Sequence, residues 1–421
     1  MRRILSVIVV VLLMFSRLTA QHEGQEHVNE SPSTAQVNQA ATEAHGEGGH
    51  EESEFNPGEF AVHHIADANI FPLIGDAYLP LPCILYAPAN GWNMFISSAF
   101  EPEHHGTGKK AIDGYVLSHG AVRRITDATF PKGTVDIGEI SVKEEEINGK
   151  KKEVHYVSYN GKEYATDGKT SWDGGLTGGG VTTFYDYSIT KNVFSMLIVF
   201  FVLVFVFIRV RKAYIKREGM APKGLQSFLE PLFEFIRDEV AKPSIGHKYE
   251  KYMPFLLSLF FFILALNLFG QIPFFPGGAN VTGNISVTIV LAILAFLVTN
   301  LNGNKHYWGH ILWMPGVPGL LKVLIITPVE ILGVFIKPFT LLLRLFANIA
   351  AGHIVILSFV GLIFLFGQSG VSMGGTVLGA VVSVPLTLFM SALELLVAFL
   401  QAFVFTLLVA SYIGAATEEH H

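Results

Sequence analysis

The stretch Pro338-Phe-Thr-Leu-Leu-Leu-Arg344-Leu-Phe-Ala-Asn348-Ile-Ala-Ala-Gly-His353 constrains this chain more than any other. It places an arginine inside an apolar run far too long for an ordinary core helix. From Val317 to Phe366 the only ionisable side chains are Lys322, Glu330, Lys337, Arg344 and His353. A charge at the centre of a bilayer costs at least about 2.5–3.5 kcal/mol. An arginine cannot escape that cost by releasing its proton, because a guanidinium stays charged in proteins. Arg344 must therefore face protein, water or a partner charge, unless it snorkels from a helix end. At 100° per residue, Glu330, Lys337, Arg344 and Asn348 fall within roughly 40° of one another, and His353 points roughly 180° away from Arg344. The pattern is a polar stripe on an apolar rod.

Composition agrees with a membrane protein. Half of the 421 residues are hydrophobic and 15% are charged, against about 25% charged in soluble domains. The long apolar runs fall after Asn192, so the chain reads as a polar segment followed by a membrane segment. The net charge of −6 offers no basic field for nucleic acid. The single cysteine, Cys83, cannot form an internal disulfide.

Residues 1–20 read as a signal peptide, with Arg2 and Arg3, an apolar run from Ile4 to Phe15 and Leu18-Thr-Ala20 as a cleavage site; the alternative is an uncleaved anchor helix, for which the run is short. Residues 21–57 lack periodicity and read as a disordered linker rich in His and Glu. Its histidines, His22, His27, His45 and His50, are too irregularly spaced for a defined metal site. His63-His64 and His104-His105 read as surface residues. Residues 58–190 read as a small β-rich periplasmic domain of unknown role. Val154–Tyr159 has strand character, with turn signals at Asn148-Gly149 and Asn160-Gly161. Gly174 to Gly180 mark the approach to the membrane. Gly168-Lys-Thr170 ends like a phosphate loop, but Glu163 stands where that motif needs glycine, which excludes nucleotide binding there.

Val193–Ile208 is long enough, with its flanks, to cross a bilayer. The basic cluster Arg209, Arg211, Lys212, Lys216 and Arg217 then sets its far end in the cytoplasm. Residues 225–242 have the spacing of an amphipathic interfacial helix, with its apolar side on lipid or on neighbouring helices. Phe255–Phe269 and Ile285–Val298 are two further spans. Asn267 reads either as a lining residue or as a helix-packing hydrogen bonder. Tyr307, Trp308 and Trp313 suit an interfacial belt. Two unusually long helices follow, about 319–366 and 376–416. At 1.5 Å per residue each exceeds the ~30 Å hydrocarbon core, so they must be steeply inclined, broken at sites such as Pro328 and Pro338, or both. The fold class is thus mainly α: a polytopic membrane protein of about five spans with a β-rich N-terminal domain. On the last helix Thr387, Glu394, Gln401 and Tyr412 lie within roughly 20° of one direction, with Ser383 close to the same line. A mid-membrane carboxylate such as Glu394 marks an ion path by default.

The run Arg344-Leu-Phe-Ala-Asn-Ile-Ala-Ala-Gly-His353 resembles the signature of subunit a of F-type ATP synthases, and Glu394 to Gln401-Ala-Phe-Val-Phe-Thr406 resembles that family's last helix. The resemblance covers about residues 185–419. It implies a stator subunit in the bacterial inner membrane that forms two proton half-channels beside a rotating c-ring, with peripheral-stalk b subunits and the lipid bilayer as further neighbours. It implies no cofactor, metal or small-molecule ligand, and no ATPase site on this chain. By the same resemblance, Arg344 is the barrier between the half-channels and Gln401 helps to hold it. Asn348 lines the channel near Arg344, and Glu330 lies on the cytoplasmic route, with Lys337 tuning the field. His353 and Glu394 form a relay pair, in positions reversed from family members that carry glutamate first. Tyr412, Thr387 and Ser383 would line the path. The competing readings are a self-contained secondary transporter, which commonly shows internal repeats absent here, and a membrane-anchored periplasmic binding module, which leaves Arg344 and Glu394 unexplained.

Overall fold

The computed structural model describes residues 66–73, 77–103, 106–147, 150–170, 182–272, 277–313, 322–367 and 372–418. The expected signal peptide and linker, the histidines before residue 66, His104-His105, Asn148-Gly149 and the glycines at 174–180 lie outside the described residues.

The described residues of the N-terminal part form twelve strands: β1 (Ile70–Pro72), β2 (Tyr78–Pro80), β3 (Pro82–Ala87), β4 (Gly91–Ile96), β5 (Lys110–Ile112), β6 (Tyr115–Ser118), β7 (Ala121–Ile125), β8 (Thr134–Asp136), β9 (Ile140–Ile147), β10 (Lys150–Tyr159), β11 (Lys162–Asp167) and β12 (Tyr185–Asp186). β1 and β2 pair with each other. A seven-stranded sheet runs in the order β8-β5-β6-β7-β11-β10-β9, and a three-stranded sheet in the order β12-β3-β4. Two-residue turns set the register. Asn160-Gly161 joins β10 to β11, and Asp113-Gly114 joins β5 to β6. All four residues have positive φ, the backbone that a tight antiparallel hairpin requires. Between the sheets, Leu85, Phe100, Tyr115, Leu117 and Phe184 are fully buried.

The rest is helical. α1 (Lys191–Lys216) extends through the basic cluster rather than ending before it. α2 (Leu225–Phe235) is the expected amphipathic segment. It passes into a π-helical turn at Ile236–Ala241 and a short turn at Lys242–Ile245. Pro243 cannot donate a backbone hydrogen bond, and the helix widens just before it. Leu225 and Phe228 at its start are exposed, while the apolar side of its later part lies on other helices. Ile236 and Val240 are fully buried, and Phe235 packs against Phe399 and Phe403. α3 (Tyr249–Gly270) follows. α4 (Ile285–Leu301) begins at Asn284, whose side chain accepts from Ser286 N at 2.9 Å. After a bend of 104° comes α5 (Lys305–Leu312), so Tyr307 and Trp308 sit on a helix.

The last two helices, α6 (Thr327–Phe366) and α7 (Met373–Thr417), contain 40 and 45 residues. A π-helical turn at Lys322–Ile326 precedes α6. At 1.5 Å per residue they are about 60 and 68 Å long. Neither is broken. Pro328 falls in the first turn of α6, where a missing N–H costs nothing. Pro338 and Pro385 interrupt the hydrogen-bond ladder without ending either helix. Unbroken rods of this length fit a ~30 Å apolar slab only at a slant or by projecting from it. Among the described residues, four helices are long and apolar enough to cross a membrane, five if the bent pair α4–α5 is one span.

The β part grips the first of these helices. Thr190, at the start of α1, makes no side-chain cap of its own. Asp67 Oδ1 accepts instead from Asn192 N at 2.9 Å, across 125 residues of sequence. Lys191 N donates to Ala68 O at 2.7 Å, and the Phe71 ring stands edge-on to Phe194. Burial pushes the Asp67 carboxyl above the usual range; Lys169, Thr190 and Asn192 oppose that shift. A carboxylate at a helix N-terminus satisfies a donor that the helix cannot. Asp67→Ala should cost about 0.5–2 kcal/mol locally. Hydrogen exchange in peptides spanning residues 188–196 should then quicken several-fold, while Asp67→Asn, which keeps an acceptor, should exchange more slowly than the alanine variant. Equal exchange in wild type and Asp67→Ala would show that the cap is idle.

Candidate functional site

His353 on α6 and Glu394 on α7 face each other. Nε2 and Oε1 are 3.6 Å apart, and the Glu394 side chain is 7% exposed. Gly352 makes this approach possible, because a Cβ there would stand 3.1 Å from Glu394 Oε1. The C-terminal end of α3 closes the pocket. The ring of His353 lies beside Gly270. Gln271 Nε2 donates to Glu394 O at 2.9 Å. One turn earlier Asn267, 3% exposed, donates to Ala398 O at 3.1 Å and accepts from Thr282 Oγ1 at 2.7 Å. Of the two readings open for Asn267, the structure shows the packing hydrogen bond.

Along the same line of α7, Ser383 Oγ, Thr387 Oγ1 and Glu394 Oε1 are buried, and no hydrogen bond meets them among the described residues. Buried polar atoms are almost always paired, with protein or with water. Three such atoms on one helix face make a polar track suited to water.

A second polar region lies at the other end of the long helices. Glu330 and Lys337 of α6 line a cleft of about 290 Å³ with His306 and His310 of α5 and Glu418 after α7. The Lys337 ammonium stands 5.4 Å from the centre of the Tyr412 ring. Asn304 fastens this corner, its side chain donating to Thr417 O at 2.9 Å. His306 and His310 carried no signal as single residues. Their i, i+4 spacing on a short helix of an aromatic belt is the pattern that marks them.

Arg344 lies between the two regions. It is nine residues before His353 and fourteen after Glu330, roughly 14 and 21 Å along the axis. It is exposed on the bare face of α6, with Ala347, Asn348 and Ala351 exposed beside it. No hydrogen bond or ion pair holds its guanidinium among the described residues. Gln401, 8% exposed, lies on the buried side of α7; no hydrogen bond joins it to Arg344. The expected polar stripes are therefore divided. His353 and Glu394 meet beside α3, Ser383 and Thr387 lie further along α7, Tyr412, Lys337 and Glu330 gather at the other end, and Arg344 and Asn348 lie on an open surface.

A family model described as ATP synthase A chain matches residues 193–414. The chain belongs to that family. Its membrane part is similar to the ATP synthase subunit a of Chloroherpeton thalassium, at 46% identity over 241 residues, 56% of this chain and 69% of that protein. A subunit a of Prosthecochloris aestuarii is 45% identical over 239 residues, 55% and 70% of the two chains. That of Chlorobium phaeobacteroides strain BS1 is 40% identical over 274 residues, 63% and 76%. A second model, a domain of unknown function (DUF8433), matches residues 60–146. Both polar regions, apart from Glu418, lie inside the first match.

The Asn267 junction gives a direct test of how the first pocket is held. Asn267→Leu strips partners from Ala398 O and Thr282 Oγ1 in a buried site, a loss of about 1–3 kcal/mol. The protein carrying it should unfold at a lower temperature in detergent. An unchanged Tm would mean that the junction contributes nothing.

Proposed function

We propose that the chain is the proton-carrying stator subunit of an F-type ATP synthase, and that its two polar pockets are the inner ends of two half-channels kept apart by Arg344. The observation that carries this reading is the exposed guanidinium. A permanent cation on an apolar, small-residue helix face, with a separate polar pocket toward each end, suits a surface past which a second, anionic element moves. The c-ring of the same synthase is the partner with that chemistry. Its carboxylates would each lose a proton on one side of Arg344 and regain one on the other. Coulomb attraction in a low-dielectric site stabilises the ionised carboxylate as it passes. A proton that enters by one pocket must then ride the ring to reach the other. Each proton crossing 100 mV supplies about 2.3 kcal/mol for rotation.

Orientation follows from charge. The basic residues at the end of α1 favour the cytoplasmic side. Alternating through α3 and α4 then assigns the His353–Glu394 pocket to the periplasmic half and the Glu330–Lys337 cleft to the cytoplasmic half. The β domain falls on the periplasmic side, and the end of α7 in the cytoplasm. The polar side of α2 is the surface offered to the peripheral-stalk b subunits.

In this reading His353 and Glu394 relay protons between the track on α7 and the ring, a task suited to an imidazole beside a carboxylate. Two experiments on inverted vesicles test it. Arg344→Ala should leave the synthase assembled and abolish ATP-driven proton pumping; normal pumping would refute the barrier role. Glu394→Gln should cut pumping by about a hundredfold or more, the low end of what a positioned proton-transfer group contributes. The double exchange His353→Glu with Glu394→His should recover part of that loss, since it keeps both groups at 3.6 Å. If the double exchange pumps no better than Glu394→Gln, the pair is not a relay.

A further inference from the structure

The three-stranded sheet has an outward face without a charge. β3 buries Cys83, Leu85 and Ala87 in the core and turns Pro82, Ile84 and Tyr86 outward. On the neighbouring β4, Phe95 packs inward on Phe100 and Tyr115. Trp92, Met94 and Ile96 point away, 58%, 70% and 54% exposed. Register aligns Tyr86 with Trp92, Ile84 with Met94 and Pro82 with Ile96. On the other side of β3, Tyr185 of β12 packs beside Tyr86, and Tyr187 packs on Trp92. The face is therefore a continuous apolar and aromatic surface, and β4 is its free edge. The domain's charges gather elsewhere. β9 to β11 carry exposed Lys143, Glu144, Glu145, Glu146, Glu153, Lys162 and Glu163. Soluble surfaces rarely expose so large an uncharged patch without a function for it.

The chain path says what covers it. The strand that ends this sheet runs directly into a membrane-crossing helix. Ile189 N donates to Pro82 O, and two residues later α1 begins at Lys191. Lys191 is four steps along the chain from Tyr187, at most about 14 Å. Asp67, Ala68 and Phe71 clamp the same helix end against the β domain. The sheet is thus held at the level where α1 enters the bilayer. Tyrosine and tryptophan beside aliphatic residues are what that interface selects.

We propose that the Tyr86–Trp92–Met94–Ile96 face rests on the lipid headgroup layer on the side from which α1 enters, so that the β domain lies on the membrane rather than standing off it. The proposal rests on α1 crossing the membrane and is independent of the proton path. The lone natural cysteine makes a clean test possible. Cys83 is buried, and burial, with the Asp186 charge, pushes its thiol up to about 12, so an introduced cysteine takes a label selectively. Met94→Cys, Ile96→Cys and, as a control on the charged strand, Glu146→Cys are each made in the full chain. Each carries a nitroxide, and the chain is reconstituted in vesicles of phosphatidylethanolamine and phosphatidylglycerol. Collision with oxygen, which concentrates in lipid, is compared with collision with a water-soluble nickel chelate. The oxygen-to-nickel ratio at positions 94 and 96 should exceed that at 146 several-fold, and should stay so in the assembled synthase. Ratios equal to that at 146 would place the face in water and overturn the proposal. Exclusion of both colliders in the assembled synthase would overturn it in favour of a protein partner. Met94 and Ile96 lie outside the core, and two independent sites guard against a local folding defect at either.

Discussion

A charge that cannot be neutralised, set in a medium that cannot solvate it, is the constraint on which the membrane part depends. The guanidinium of Arg344 needs a counter-charge or water. The fold does not supply a permanent one from its own chain: no hydrogen bond or ion pair reaches it among the described residues. Satisfying Arg344 internally would make it a structural residue. In the proposed function, leaving it exposed on α6 beside Ala347 and Ala351 keeps its need available to a transient partner. The helices on either side accommodate this. α6 buries Leu341, Leu345 and Ile349 against the bundle and turns Arg344 and Asn348 outward.

Separation is the second requirement, and it is met by length. Along α6, Lys337 and His353 stand about 24 Å apart, most of the thickness of an apolar slab, with Arg344 exposed between them. The antiparallel pairing of α6 with α7 repeats the spacing. His353 meets Glu394 near one end, and Lys337 meets Tyr412 near the other. Gly352 is the local price of the first meeting, a position where any side chain would push the carboxylate away.

Much of this was readable because membrane burial writes a coarse code. Apolar length announced the spans, and helical periodicity put Glu330, Lys337 and Arg344 on one side and His353 on the other. Periodicity could not say that the α7 stripe divides between two pockets, since an angular projection discards height along the axis. Nor could it find Gln271 or Thr282, whose roles depend on a loop folding back into the bundle. His306 and His310 were hidden for a related reason: a bend of 104° after α4 brings α5 beside α6, and nothing in the local sequence fixes such an angle. In the β part, Asn160-Gly161 marked its hairpin because the turn needs two positive φ values. The pairing of Asp67 with Asn192 leaves no trace at either end.

That last contact bears on how the protein is made. α1 starts on a donor that only Asp67 satisfies, and Asp67 is synthesised 125 residues before its partner. The intervening strands must come together before the two can meet. The first turn of α1 is therefore finished late, sealed by a domain that precedes it on the ribosome.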